Sequence, residues 1–248
     1  MYKSSIATII LAGGKGTRMN SDLPKVLHKV GGQPIVNHIL NQLEQLKLGQ
    51  IYVVIGHKKE LVKSKLGTKW QYVTQEQPLG TGDAVKTALN ILDGQPETIV
   101  VFNGDDSAFY TKKTIQKILK SHHESNSKMT ILTAIKENVD ISGRVMRDSQ
   151  GKIVEIKANS KMSPEELREH NELVCGFYLF DGKWLEEQLH KVEPSKNGEY
   201  NITKLIDFAL KENNLLDITL ADPHEWQSIN TKRELAKARR LWRKHVRN

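Results

Sequence analysis

Apolar positions in the first half of the chain recur with two periods. Ile6 to Leu11, Ile51 to Ile55, Gln71 to Thr74, Ile99 to Phe102 and Met129 to Ala134 are short runs rich in β-branched residues, the pattern of strands buried on both faces. Between them, Ile35 to Leu46, Lys58 to Leu66, Gly82 to Leu92 and Thr111 to His123 carry apolar residues at helical spacing, each long enough for a crossover helix. This βαβ rhythm predicts an α/β, Rossmann-like fold: an open mixed, mostly parallel sheet with helices on both faces. Ligands are expected at the carboxyl ends of its strands.

From Gly143 the rhythm changes. Arg144 to Met146, Ile153 to Ile156 and Val174 to Phe180 read as strands with little helix between the first two, so this half is expected to add antiparallel strands. Helical patterns follow at Asp181 to Leu189 and Ile202 to Glu212, then a strand near Asp217 to Leu220 and a helix from Lys232. No internal repeat or long linker interrupts the chain. The expected organisation is one domain over 1–231 with an appended basic helix over 232–248.

The net charge of +8 invites a nucleic-acid reading until the charges are located. Eight of the 37 basic residues, but only one of the 29 acidic ones, lie in residues 232–248, which leaves the body nearly neutral. In that tail Leu235, Ala238, Leu241, Trp242 and Val246 fall near helical spacing with basic residues elsewhere. An amphipathic helix of this kind is expected to dock on the body or on a second subunit, which makes a homo-oligomer conceivable and leaves nucleic acid and membrane out as partners. The start, Lys3 followed by apolar Ile6 to Ala12, runs into a basic Gly-rich loop, so it is expected to be a first strand and not an export signal. No apolar stretch approaches the roughly 18 residues of a membrane span. A single cysteine, Cys175, excludes an intramolecular disulfide and fits a cytoplasmic setting. The pair His122-His123, without acidic or thiol neighbours, is expected to be solvated charge at a helix end.

Chemistry concentrates in Leu11-Ala12-Gly13-Gly14-Lys15-Gly16-Thr17-Arg18-Met19, directly after the first strand. Three glycines let the backbone turn sharply and bring N–H groups to a ligand, and Lys15 and Arg18 add positive charge, so the loop suits a polyphosphate. It is neither a Rossmann dinucleotide motif, which would need Gly where Met19 stands, nor a P-loop, in which Ser or Thr would follow the lysine that here precedes Gly16. Four residues on come Leu23-Pro24-Lys25-Val26-Leu27 and then Gly31-Gly32-Gln33-Pro34-Ile35, the latter opening a helix.

These motifs resemble the signature of the sugar-1-phosphate nucleotidylyltransferases, and within them are most similar to the uridyltransferase domain of bacterial N-acetylglucosamine-1-phosphate uridyltransferase. The resemblance runs on in order through Gln75 with Leu79-Gly80-Thr81-Gly82, Gly104-Asp105, Gly143-Arg144, Glu155-x-Lys157, Gly198-Glu199-Tyr200 and Ile229-Asn230. It implies the nucleotide-diphospho-sugar transferase fold and Mg²⁺-dependent transfer of a uridylyl group from UTP to a sugar-1-phosphate, N-acetylglucosamine-1-phosphate first among them, giving a UDP-sugar and pyrophosphate. By the same resemblance Arg18 and Lys25 are the catalytic cations. Leu11, Ala12, Gly13, Gly14, Lys15, Gln75, Gly80, Thr81 and Gly104 would bind the nucleotide, and Asp105 and Asn230 the metal. Asn103, Gly143, Glu155, Lys157, Val174 and Tyr200 would line the sugar.

Two places depart from the pattern. Asn103 stands where relatives using N-acetylglucosamine-1-phosphate carry Tyr, and Asp106-Ser107 follow where Val-Pro is expected. Val174 stands where the family places an Asn that bonds the sugar, so the sugar could be another hexose-1-phosphate, or the acceptor a phosphorylated alcohol. A non-catalytic nucleotide-sugar-binding protein is the rival of another class, disfavoured by the presence of Arg18, Lys25 and Asp105. The bifunctional relatives carry an acetyltransferase domain of hexapeptide repeats, and these 248 residues contain none.

Overall fold

A computed structural model describes residues 5–137 and 143–245. Val246 of the tail pattern lies outside them. In chain order the elements of the first half are β1 (Ile6–Leu11), β2 (Lys29–Val30), β3 (Gln33–Pro34), α1 (Ile35–Leu46), β4 (Gln50–Ile55), α2 (Lys59–Leu66), β5 (Gln71–Thr74), α3 (Thr81–Leu89), β6 (Thr98–Asn103), α4 (Lys112–Ser125) and β7 (Met129–Ile135). The second half adds β8 (Gly143–Arg147), β9 (Ile153–Ala158), α5 (Pro164–Glu169), β10 (Glu172–Asp181), α6 (Gly182–Leu189), α7 (Lys204–Lys211), β11 (Leu215–Thr219) and α8 (Lys232–His245).

The strands order as β11-β7-β10-β6-β1-β4-β5, with the β8–β9 hairpin attached to β10 through Leu173 and Arg144. β1, β4, β5 and β6 run parallel, β10 is antiparallel to both β6 and β7, and β11 is parallel to β7. Alternate residues of the central strands serve opposite faces. Ile10, Val53 and Val100 meet α1, α2 and α4, whereas Ile9, Val54 and Val101 meet α3, α6 and α7. Both faces are therefore dry, which is why these strands carry no polar alternation.

β10 is irregular where it matters. Between Val174, opposite Thr133, and Tyr178, opposite Ile131, the pairing with β7 slips, so Cys175, Gly176 and Phe177 face a single residue. The slip lies next to the carboxyl end of β6, since Phe177 pairs with Phe102.

α8 docks on the body. Leu235 and Ala238 are buried with Met19, Val30, Ile35, Phe109 and Ile229, and Leu241 and Trp242 pack against them. The Trp242 ring lies 4.3 Å from that of His38 and 5.8 Å from that of Phe109, over the β2–β3 turn. Among the described residues no helix is long and apolar enough to cross a membrane.

His122 corrects the solvated reading of the histidine pair. It is 5% exposed, its Nδ1 lies 2.7 Å from Thr130 Oγ1, and burial with the neighbouring His123 lowers its pKa to about 4, so it is neutral in the fold.

Candidate active site

The carboxyl ends of β1, β5 and β6 and the slipped stretch of β10 open onto one cleft of about 830 Å³. Its first wall is the loop after β1. Gly16 has φ +61°, and a Cβ there would come within 2.8 Å of Lys25 Cβ, so only glycine lets the loop pass over that side chain. Lys25 opens a short 3-10 turn behind Pro24, whose carbonyl accepts the Leu27 N–H at 2.9 Å. Proline sets the turn and the turn sets where the ammonium points.

That ammonium gathers the site. Lys25 Nζ is ion-paired with Asp105 and donates to Asn230 Oδ1 at 2.7 Å, and Arg18 Nη2 donates to the same oxygen at 3.1 Å. Asp105 arrives by the short turn that ends β6. Asn230 arrives from the far end of the chain and is fixed from two sides: its Nδ2 donates to Ser228 Oγ, and its backbone N–H donates to Glu234 Oε2 at 2.8 Å. Glu234 belongs to the first turn of α8, where its own N–H donates to Thr231 Oγ1. Two cations, Arg18 from the loop after β1 and Lys25 from the turn behind Pro24, thus converge on one amide oxygen, and Asp105 joins them through Lys25.

Asp105 and Asn230 each present an oxygen, and the Lys25 ammonium already bridges them as a stand-in cation. A hard divalent ion completed by phosphate oxygens fits this donor set. Among the described residues no cluster of three or more His, Cys, Asp or Glu could hold a metal by itself, so substrate oxygens and water would complete the shell of an ion held by the pair.

On the opposite wall, Gln75 Nε2 donates to Gly80 O at 3.0 Å and to Asp83 Oδ2 at 2.7 Å. Both partners are acceptors, which fixes the orientation of the amide and leaves its Oε1 to face a donor. Thr81 Oγ1 accepts the Ile202 N–H at 3.0 Å.

Most of the residues singled out in the sequence line the cleft: Leu11, Ala12, Gly13, Gly14, Lys15, Arg18, Lys25, Gln75, Gly80, Thr81, Asn103, Asp105, Gly143, Val174 and Asn230. Four do not. Gly104 lies behind it, its N–H donating to Leu11 O at 2.9 Å, where it cements β6 to the end of β1. Glu155 is exposed on β9, and Lys157 is ion-paired with Glu166 at 2.5 Å. Tyr200 acts through its backbone, its N–H donating to Leu79 O and its carbonyl accepting the Gly82 N–H, each at 2.7 Å. It clamps the Gly80-Thr81 segment from outside.

The cleft also contains residues the sequence reading left out of the site: Asp106, Gly176, Tyr178, Trp226 and Ser228. Asp106 is the acidic group among them and is strongly perturbed. Burial, then the adjacent Asp105 charge, pushes its pKa up to about 7 against the opposing pull of Trp226, Lys25 and Asn103. Trp226 and Ser228 lie within four residues of Asn230, so the signal available was proximity to a motif too short to announce its neighbours.

Comparisons with known proteins bear on the family and the fold. The nucleotidyl transferase family profile matches residues 7–244. The bifunctional protein GlmU of Enterococcus faecalis is 40% identical over 247 residues, which is 97% of this chain and 54% of that protein. The protein of the same name from Clostridium novyi is 37% identical over 248 residues, 99% of this chain and 53% of that protein. The chain spans about half the length of the curated relatives it matches. Among solved structures, a Bacillus anthracis protein assigned as a glucose-1-phosphate thymidylyltransferase superposes with a TM-score of 0.80 at 25% identity, covering 96% of this chain and 95% of that one.

Proposed function

The chain belongs to the nucleotidyl transferase family, and on that premise we propose that it transfers a uridylyl group from UTP to a sugar-1-phosphate, releasing pyrophosphate. The observation that carries this reading is the meeting of Lys25 and Arg18 on Asn230, with Asp105 paired to Lys25, beside a glycine-rich loop at the strand ends. In the reaction an oxygen of the sugar phosphate attacks the α-phosphorus, a P–O bond forms on one side, and the bond to the β-phosphate oxygen breaks on the other. No proton needs to be removed from a phosphate dianion, so the demand on the protein is alignment and charge neutralisation.

Lys25 meets that demand between the α-phosphate and the incoming phosphate. Lys15 and Arg18, both exposed on the loop, hold the β- and γ-phosphates together with the N–H groups of Gly13 and Gly14. Asp105 and Asn230 would hold Mg²⁺, which supplies neutralisation of the developing pyrophosphate charge when bound. The Gln75 oxygen, with its amide hydrogens spoken for, accepts from the N3–H of uracil. Cytosine has an acceptor at that position and is disfavoured. Thymine presents the same edge as uracil, and the thymidylyltransferase-like neighbour makes dTTP the second reading. We place the reaction in the cytoplasm, in keeping with the single cysteine, Cys175, a buried free thiol.

The test is pyrophosphate release from UTP, dTTP, CTP, ATP and GTP against a panel of sugar-1-phosphates. UTP is expected to lead, followed by dTTP. Turnover with CTP above both would overturn the base assignment, and no turnover with any pair would overturn the transfer reading.

A further inference from the structure

Asp106 is a departure from the family pattern that the reaction itself leaves unexplained. Its side chain is 5% exposed, and Oδ1 is buried without a hydrogen-bond partner. Oδ2 accepts the indole N–H of Trp226 at 3.0 Å, a buried contact between residues 120 apart in sequence. β10 makes room for it at Gly176, where any Cβ would collide with the Asp106 carboxylate and the Asn103 amide.

Trp226 is itself anchored. It is 2% exposed, its carbonyl accepts from Lys136 Nζ, and that ammonium lies 5.4 Å from the ring centroid. From Trp226 the chain runs through buried Gln227, Ser228 and Ile229 to Asn230. One end of the contact is therefore the residue after Asp105, and the other lies four residues before Asn230. These two segments come from the end of β6 and from the approach to α8. A hydrogen bond to a buried carboxylate is strong and short-ranged, so it fixes distance as well as contributing energy.

We propose that Trp226 is a positioning residue whose indole N–H, held by Asp106, sets the separation between the Asp105 and Asn230 oxygens and so tunes their grip on the divalent cation. The inference rests on the nucleotidyl-transfer reading above. It also gives the Asp106 departure a partner in the structure, since an apolar residue at 106 would leave the indole N–H unpaired in the core.

The experiment is a Mn²⁺ titration of the full chain with a non-hydrolysable UTP analogue, followed by electron paramagnetic resonance, with affinity for the analogue in EDTA measured separately by calorimetry. Trp226→Phe keeps the ring and loses the N–H. It is expected to weaken Mn²⁺ binding about tenfold, as losses behind metal ligands do, while metal-free nucleotide affinity stays within about twofold. Asp106→Asn retains an acceptor oxygen and is expected to stay within about threefold of the parent, whereas Asp106→Leu, equally neutral but without an acceptor, falls about tenfold. The pair of Asp106 variants decides the matter even if Trp226→Phe does not fold. Equal Mn²⁺ affinity in Asp106→Leu and Asp106→Asn, or a Trp226→Phe protein that binds like the parent, would overturn the proposal. A loss in Asp106→Asn as large as in Asp106→Leu would assign Asp106 a direct charge effect on the metal instead. Failure of the parent itself to bind Mn²⁺ with the analogue would count against the nucleotidyl-transfer reading first.

Discussion

The two ends of the cleft differ in what presents the contacts. At the carboxyl ends of β1, β5 and β6 the wall is main chain: a glycine loop, the Gly80-Thr81 turn, and cations whose direction is set by a proline turn. Beside β10 the wall is side chains, with Asn103, Asp106, Val174, Tyr178 and Trp226 brought together by a slip in strand pairing and a buried irregular run. Backbone recognition demands glycine and proline at fixed spacing, because no other residue allows the geometry. Side-chain recognition can be rebuilt one substitution at a time. On the proposed function, the first end would carry the phosphate chemistry and the base, and the second is where the choice of sugar would change.

The sharpest way to break this contrast is Asp105→Ala. Loss of several kcal/mol of charge stabilisation at the metal is expected to lower kcat on the order of 10³-fold, read by magnesium titration of pyrophosphate release. Asp106→Ala should be milder in the same assay; a larger effect there would move the metal assignment by one residue. Lys25→Ala is expected to fold normally and to lose roughly a hundredfold in kcat, the usual cost of one preorganised charge. A folded variant with most of its activity would remove Lys25 from the chemistry.

At the other end, Val174→Asn should alter choice more than rate. It is expected to shift the ratio of kcat/KM for N-acetylglucosamine-1-phosphate over glucose-1-phosphate by about tenfold toward the N-acetylated sugar. Because Val174 is 4% exposed, part of any loss will be stability, so the competing-substrate ratio is the readout to use. No change in ratio would mean that this wall does not read the 2-substituent. The smallest effect is expected from Gly16→Ala, where positive φ and the approach to Lys25 should lower stability by about 1–2 kcal/mol in a denaturant titration. Stability equal to the parent would show that the loop tolerates the Cβ and that the glycine is not conformationally required.

The same contrast explains what was legible beforehand. β1, β5 and α1 have the boundaries that periodicity alone predicts, because dry faces and crossover helices impose long, consistent patterns. The two-residue strands β2 and β3 are too short to carry a period. α5 was missed although Ser163 and Glu166 form a reciprocal cap, since six residues without a buried face give a cap nothing to introduce. In the cleft, Gly13, Lys25 and Asp105 were visible as motifs. Trp226 was not, for its role depends on meeting Asp106 across 120 residues, and on a slip in β10 that no local pattern encodes. Glu155 and Lys157 matched by order alone, and neither lines the cleft, Glu155 being exposed and Lys157 paired with Glu166.

α8 begins two residues after Asn230, beside this site, and ends away from it. Its first turn holds the Asn230 backbone through Glu234, while Trp242, ten residues after Lys232, is wedged over the β2–β3 turn. A 14-residue helix is a rigid rod of about 20 Å, so its two ends cannot move independently. The outward face of that rod carries basic side chains from Lys232 to Lys244. A displacement of the rod at Trp242 is therefore also a displacement of Glu234, the carboxylate that accepts from the Asn230 N–H.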